Sequence, residues 1–305
     1  MGSYNTHRLQ ETTSFLVSTT HYLLAVDPEA GSIKRVHSGK GLYFGLTESP
    51  DGFIYAACRN ATEGPENESI RAAERGTILV LNQKLQVVEE LQAPFPLRDV
   101  HGIACFDHRL WITCSFDNMV AIYDLATKQW SQWYPAPNTA DRGRDVHHFN
   151  TIRFINNKVC LIAHCFGPSQ LWFYEYPSLQ LNNILPLGNM AHDVIEFEGG
   201  IATCSSAEGC IVNACGQQLV TGGFPRGVGS TAAGNLLGIS IHAPRAERAR
   251  QDAILKWYSP DWRFRSDLFL QGVGMILDIL PLDRVCLLPY EETAEEVLGH
   301  YSSLK

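Results

Sequence analysis

The sequence predicts an all-β fold, a six-bladed β-propeller with four-stranded antiparallel blades, and three observations carry that prediction. Short apolar runs separated by Asp, Asn and Gly turns fill the chain, and helical spacing is nearly absent. The same order of runs and turns returns with starts near residues 43, 101, 150, 192, 226 and 275. That spacing, about 46 residues, is the length of a propeller blade. Finally, the two ends of the chain are complementary fragments: the last repeat supplies one or two strands, and the N-terminus supplies strands without a beginning. Joined, they form a composite closing blade that leaves the ring without open edges. Seven blades is the alternative count, because Val285–Leu288 duplicates the strand role of Phe15–Thr19. Residues 1–305 read as a single domain.

Taken in order, Phe15–Thr19, Tyr22–Asp27 and Ile33–Val36 belong to the closing blade. Phe44–Thr47, the turn Ser49-Pro-Asp-Gly and Phe53–Ala57 begin the first complete unit. The second unit is the clearest. His101–Phe106, Leu110–Cys114, Met119–Asp124 and Gln129–Tyr134 follow one another across polar turns as a meander. Asn150–Phe154 with Val159–Ala163, His192–Phe197 with Ile201–Cys204, and Arg226–Gly229 with Leu236–Ser240 begin the next three. Met275–Ile279 and Val285–Leu288 begin the last, and residues 291–300 read as a short acidic tail helix.

Composition narrows the function. The chain carries 24 Lys+Arg against 32 Asp+Glu, a formal charge of -8, and lacks a basic run, which speaks against a nucleic-acid partner. No run of about eighteen apolar residues is present, so no membrane span is expected. The stretch Phe15–Val26 is broken by Ser18, Thr19, Thr20 and His21, which argues against a signal-peptide core and for a cytoplasmic location. Most of the nine cysteines sit in strand-like runs and are expected to be reduced.

The blade pattern, with Ser49-Pro-Asp-Gly-Phe-Ile-Tyr-Ala as its first hairpin, resembles the six-bladed propellers of the gluconolactonase, senescence-marker-protein and strictosidine-synthase-like group. The resemblance implies a divalent metal held by Glu, Asn and Asp side chains at the mouth of the central channel. Only Asn150 matches such a position here. Histidines occupy two of the others, so that ligand set does not carry over intact.

The histidines concentrate on one rim. In a blade, loops entering the first strand share a face with loops leaving the second. His101, His147, His148 and His192 lie at or before first strands, while His164 and His242 end second strands. His101, His148 and His192 are the expected metal ligands: three neutral imidazoles can hold a transition ion, Fe, Zn, Cu or Mn, and leave positions open for water or substrate. Asp99, Asp145 and Asp193 are the expected orienting groups behind them. His147 and His164 are candidate proton shuttles. Arg226 is the expected anchor for an anionic group, with Asn150 and His242 as further substrate contacts. The loops 59–76, carrying Arg59, Arg71 and Arg75, and 243–252 are expected to fold over the mouth, their arginines facing solvent. Glu48 and Asp278 reach towards the channel or serve in turns.

These residues point to a metal-dependent enzyme acting on a small anionic metabolite by hydrolysis, lactone opening or elimination. Two alternatives use other chemistry: an iron or copper oxidoreductase on the same histidines, or a propeller that only binds partners.

Overall fold

The computed structural model describes residues 13–60 and 72–282. Six sheets of four antiparallel strands stand around a central axis, and the innermost strands touch one another in a closed ring. Those innermost strands are Leu42–Glu48, Val100–Phe106, Phe149–Ile155, Ala191–Phe197, Phe224–Ser230 and Ile276–Leu282. The last belongs to the composite blade. Ile276–Leu282 pairs with Ser14–Thr19, which continues through Tyr22–Asp27 to Ser32–Ser38. Chain closure therefore joins one late strand to three early ones, and six sheets settle the blade count against seven. Val285–Leu288 and the expected helix at 291–300 lie outside the described residues.

The core is divided into six wedges, one at each junction between neighbouring blades. A middle strand is therefore covered on both faces, which explains why Ile54–Arg59 and Leu110–Cys114 read as unbroken buried runs rather than alternations. Outer strands such as Phe264–Leu270 alternate towards water. Between the second and third blades, Phe106 and Phe154 stack with centroids 4.1 Å apart, and Phe15 meets Trp257 edge-on at the fifth junction, 5.7 Å away.

Hydroxyls link the blades nearer the axis. Ser18 donates to the carbonyl of Phe44, Ser115 to that of Phe149 and Ser206 to that of Pro225. Glycine lets the inner strands approach. A Cβ on Gly45 would lie 2.6 Å from the His101 carbonyl oxygen, and one on Gly102 2.8 Å from that of Asn150.

The register slips at or beside one particular residue of each innermost strand. Such bulges re-aim side chains. The six residues concerned, Phe44, His101, Asn150, His192, Arg226 and Leu277, line one narrow passage along the axis. No helix among the described residues is long and apolar enough to cross a membrane, and the eight described cysteines are free thiols.

Candidate functional site

The axial passage has a mouth lined by imidazoles and a floor of paired charges. At the mouth, four imidazoles form an arc. His101 lies 4.7 Å from His148, His148 lies 5.1 Å from His164, and His164 lies 5.1 Å from His192, centroid to centroid. All four are buried. The third blade supplies the middle two, His148 in left-handed backbone (φ 50°) just before its first strand and His164 just after its second.

Hydrogen bonding fixes which nitrogen of each ring carries the proton. Ser115 Oγ donates to the Phe149 carbonyl at 2.7 Å, so it accepts from His101 Nδ1 at 3.1 Å; the Asp99 carbonyl, 2.9 Å away, accepts from the same atom. Ser206 Oγ likewise donates to the Pro225 carbonyl at 2.6 Å and accepts from His192 Nδ1 at 2.8 Å. His148 Nδ1 donates to Asp145 Oδ1 at 2.9 Å. In these three rings Nδ1 is the donor, and Nε2 is the atom without a protein partner that could face a metal. His164 is the opposite tautomer: its Nδ1 accepts the Phe166 backbone N–H at 3.1 Å, so its Nε2 bears the proton.

Burial keeps His101, His164 and His192 neutral. It pushes the His101 imidazole well below its ordinary range, the nearby Asp99 charge only partly opposing it. Burial, then the Arg226 charge, does the same to His192. Burial followed by His148 and Arg226 draws His164 down to about 3. A group so shifted remains neutral at working pH, so His164 fits a hydrogen-bond donor better than the expected proton shuttle.

Among the described residues, Asp99, His101 and His148 form the one group of metal-type side chains whose ligand atoms all lie within 4.8 Å of each other, and this trio could hold a metal ion. His192 falls outside it, at the far end of the arc, because the third blade inserts His164 between. Asp99 is already engaged: its carboxylate lies 2.6 Å from Arg59 Nη1. Arg59 also grips Glu74 through two hydrogen bonds of 2.7 and 2.9 Å. The expectation of a solvent-facing Arg59 is therefore overturned: it ends the strand Ile54–Arg59 and is among the most deeply buried side chains. Arg75 is exposed as expected, and Arg71 lies outside the described residues.

Arg226 is the unusual member. It is 8% exposed, its guanidinium carbon sits 5.4 Å from the Phe44 ring centre, and it makes no hydrogen bond or ion pair with any described residue. Burial, then the charge of Arg248, draws its pKa down to about 9. Beside it, Asn150 donates through Nδ2 to the Ala191 carbonyl at 2.8 Å, while its buried Oδ1 has no partner. The ring-lined passage they share has a volume of about 20 Å³, enough for one water.

The floor is saturated instead. Arg153 lies 2.9 Å from Asp193 and 3.7 Å from Asp278. Asp193 accepts from Val194 and Val228 backbone N–H groups at 2.8 and 2.9 Å. Asp278 accepts from Leu46 and Ile279 at 2.8 and 2.9 Å. The expected pairing of Asp193 with His192 is thus corrected: Asp193 points down to Arg153, and Ser206 holds the imidazole. Asp278 does reach the channel. Beyond the floor, the passage opens into a cleft of about 840 Å³ on the opposite face, lined by Phe106, Phe154, Glu196 and Trp262.

Two sequence candidates sit apart from the arc. His147 stacks 5.3 Å from Phe149 and 5.1 Å from Trp172, with Nε2 3.4 Å from Asp141. His242 is exposed and stacks on Phe224, which separates it from His192. The second of the two long loops, 243–252, forms the 3-10 helix Arg245–Arg250. It is tethered by His21, whose Nε2 lies 2.6 Å from the Ala249 carbonyl.

Comparison with known proteins supports the fold. No family model matches the chain, and no curated protein matches it. Among solved structures, a protein of unknown function from Bacteroides caccae is 13% identical, with a TM-score of 0.61 over 88% of this chain and 98% of its own. A chain from a nidogen/laminin complex is 10% identical, with a TM-score of 0.59 over the same shares. At such identities the likeness is one of fold alone. The particular gluconolactonase-like grouping rests on the sequence motifs only.

Proposed function

We propose that this propeller is a metal-dependent enzyme acting on a small anionic metabolite at the histidine mouth of its channel. One observation carries the reading: His101, His148 and His192 each spend Nδ1–H on a protein acceptor and leave Nε2 without a protein partner. Serine and aspartate behind the rings fix tautomer and orientation, as they do around many bound metals. The ion would sit on His101 and His148, with His192 drawn in from the end of the arc. Asp99, neutralised by Arg59, orients rather than ligates.

Nitrogen donors with no uncommitted carboxylate among them suit Zn, Fe, Cu or Mn better than Mg or Ca. Bound there, such an ion would polarise a carbonyl and lower the pKa of a bound water. The chain's own groups do the rest. Arg226 holds the anionic group with its guanidinium fork, and His164 adds one N–H to it through Nε2. Hydrolysis, lactone opening or elimination needs only these parts. The all-nitrogen donor set also supports the second reading, iron or copper redox chemistry.

Elemental analysis of protein purified without a metal-affinity column, beside a His101→Ala/His192→Ala variant, tests the reading. The expected result is about one equivalent of a transition ion, lost in a still-folded variant. Zinc or manganese keeps hydrolysis or elimination in front, and iron or copper moves the assignment to oxidation. No metal in the parent after reconstitution sinks both and leaves a binding platform.

A further inference from the structure

Arg226 is a buried cation with no counter-charge in contact, and a protein gains nothing by burying one. Its desolvation is offset only from a distance, by the charges of Asp278 and Asp99, whereas Arg153, at the other end of the same passage, has two carboxylates within 4 Å. Arg226 lines the passage beside His101 and His192, and His164 lies 5.1 Å from His192 at the next place in the arc. The donors facing this space are few. Arg226 offers its planar fork and His164 one N–H, while the Nε2 atoms of His101, His148 and His192 present lone pairs. Two oxygens in a plane satisfy the donors. A tetrahedral dianion would turn further oxygens, and a second charge, towards the lone pairs.

We propose that Arg226 and His164 form a carboxylate site, and that a carboxylate there and a divalent metal on the neighbouring histidines bind cooperatively. The second half rests on the metal reading above; the first does not. Its cause is charge balance. A dication beside Arg226, surrounded by neutral imidazoles, leaves the mouth strongly positive. An anion in contact with both removes that repulsion, and by linkage each ligand then tightens the other by the same factor. The predicted substrate is therefore a small monocarboxylate, with the reacting group next to its carboxylate and facing the ion.

Two titrations test this. In the first, acetate is added to metal-free protein while the side-chain Nε–H resonance of Arg226 is followed by NMR. A saturable shift is the expected result, together with a stabilisation by acetate in thermal denaturation that Arg226→Leu abolishes and Arg226→Lys partly restores. No saturable shift overturns the carboxylate site whatever the metal does. In the second, Co²⁺ is titrated with and without saturating acetate, its visible absorption reporting binding. Acetate is expected to tighten cobalt about tenfold, within the usual range of coupling between sites, and Arg226→Leu to abolish the gain. Equal cobalt affinity with and without acetate overturns the cooperativity while sparing the metal site. Sulfate acting as strongly as acetate overturns the carboxylate assignment. Failure of cobalt to bind removes the metal reading and the cooperativity together, and the first titration alone then decides the carboxylate site.

Discussion

Arg153 and Arg226 line the same narrow passage, come from innermost strands of two blades, and live in opposite electrostatic worlds. Burial works against the charge of Arg153, but Asp193 and Asp278 more than offset it and hold its pKa above the ordinary value. Those two aspartates also accept backbone N–H groups from the fifth and first blades. Charge at the floor is therefore structural, a staple across most of the ring. Charge at the mouth has no counter-charge in contact, set among imidazoles and an unpartnered Asn150 Oδ1. The contrast teaches that a buried ion is informative chiefly through what it lacks: saturated groups hold a fold together, and unsaturated ones wait for a ligand.

The largest effect should come from breaking the staple. Arg153→Leu leaves two buried carboxylates without their cation, and a loss of about 3 kcal/mol is expected, at the lower end for a broken buried pair because Arg153 also reaches water in the lower cleft. Arg226→Leu should change stability by less than about 1 kcal/mol or raise it, since it removes an uncompensated charge. Urea unfolding of the two variants checks both. Equal losses would erase the distinction between floor and mouth.

Acidification should act on the mouth. With His164 drawn down to about 3, its stabilising contribution is fully present above the unfolded histidine value. Below about pH 6.5 the unfolded chain takes up a proton that the folded one refuses, and stability falls by about 1.4 kcal/mol per pH unit for each such histidine. Asp278, pushed up by burial, pulls in the opposite direction at lower pH. Subtracting the profile of His164→Phe cancels that contribution and isolates one proton's slope. Parallel profiles between about pH 6.5 and 5 would show that His164 is not held neutral.

The blade count, the composite closure and the rim carrying the histidines were all legible in the sequence, because a repeat of run and turn states itself locally. So were Arg226 and Asn150, through their equivalent places in successive repeats. What lay behind the rings was not. Asp193 stands next to His192 in sequence, but its left-handed backbone (φ 61°) and the register shift beside it re-aim the carboxylate to the floor. Arg59 read as a loop cation because the length of Ile54–Arg59 was not visible, and its partners Glu74 and Asp99 come from elsewhere in the chain. Ser115 and Ser206 carry no local signature. Their role exists only where a second strand ends against the next blade.

Ser206 offers the smallest and most discriminating test of that last point. Its hydroxyl sits between two acceptors' worth of demand: it gives its proton to the Pro225 carbonyl and so can only receive from His192 Nδ1. Ser206→Ala removes the receiver. The His192 ring then loses the bond that holds its proton on Nδ1, and the tautomer with Nε2–H, useless to a metal, becomes accessible. Loss of a partner behind a ligand typically costs 10–100-fold in metal affinity, and His192, outside the compact trio, should sit at the low end, about tenfold. Ser115→Ala should cost less, because the Asp99 carbonyl still receives from His101 Nδ1. Cobalt affinities of the two variants measure the difference. If Ser115→Ala weakens binding more than Ser206→Ala, His192 takes no part in holding the ion, and the metal rests on His101 and His148 alone.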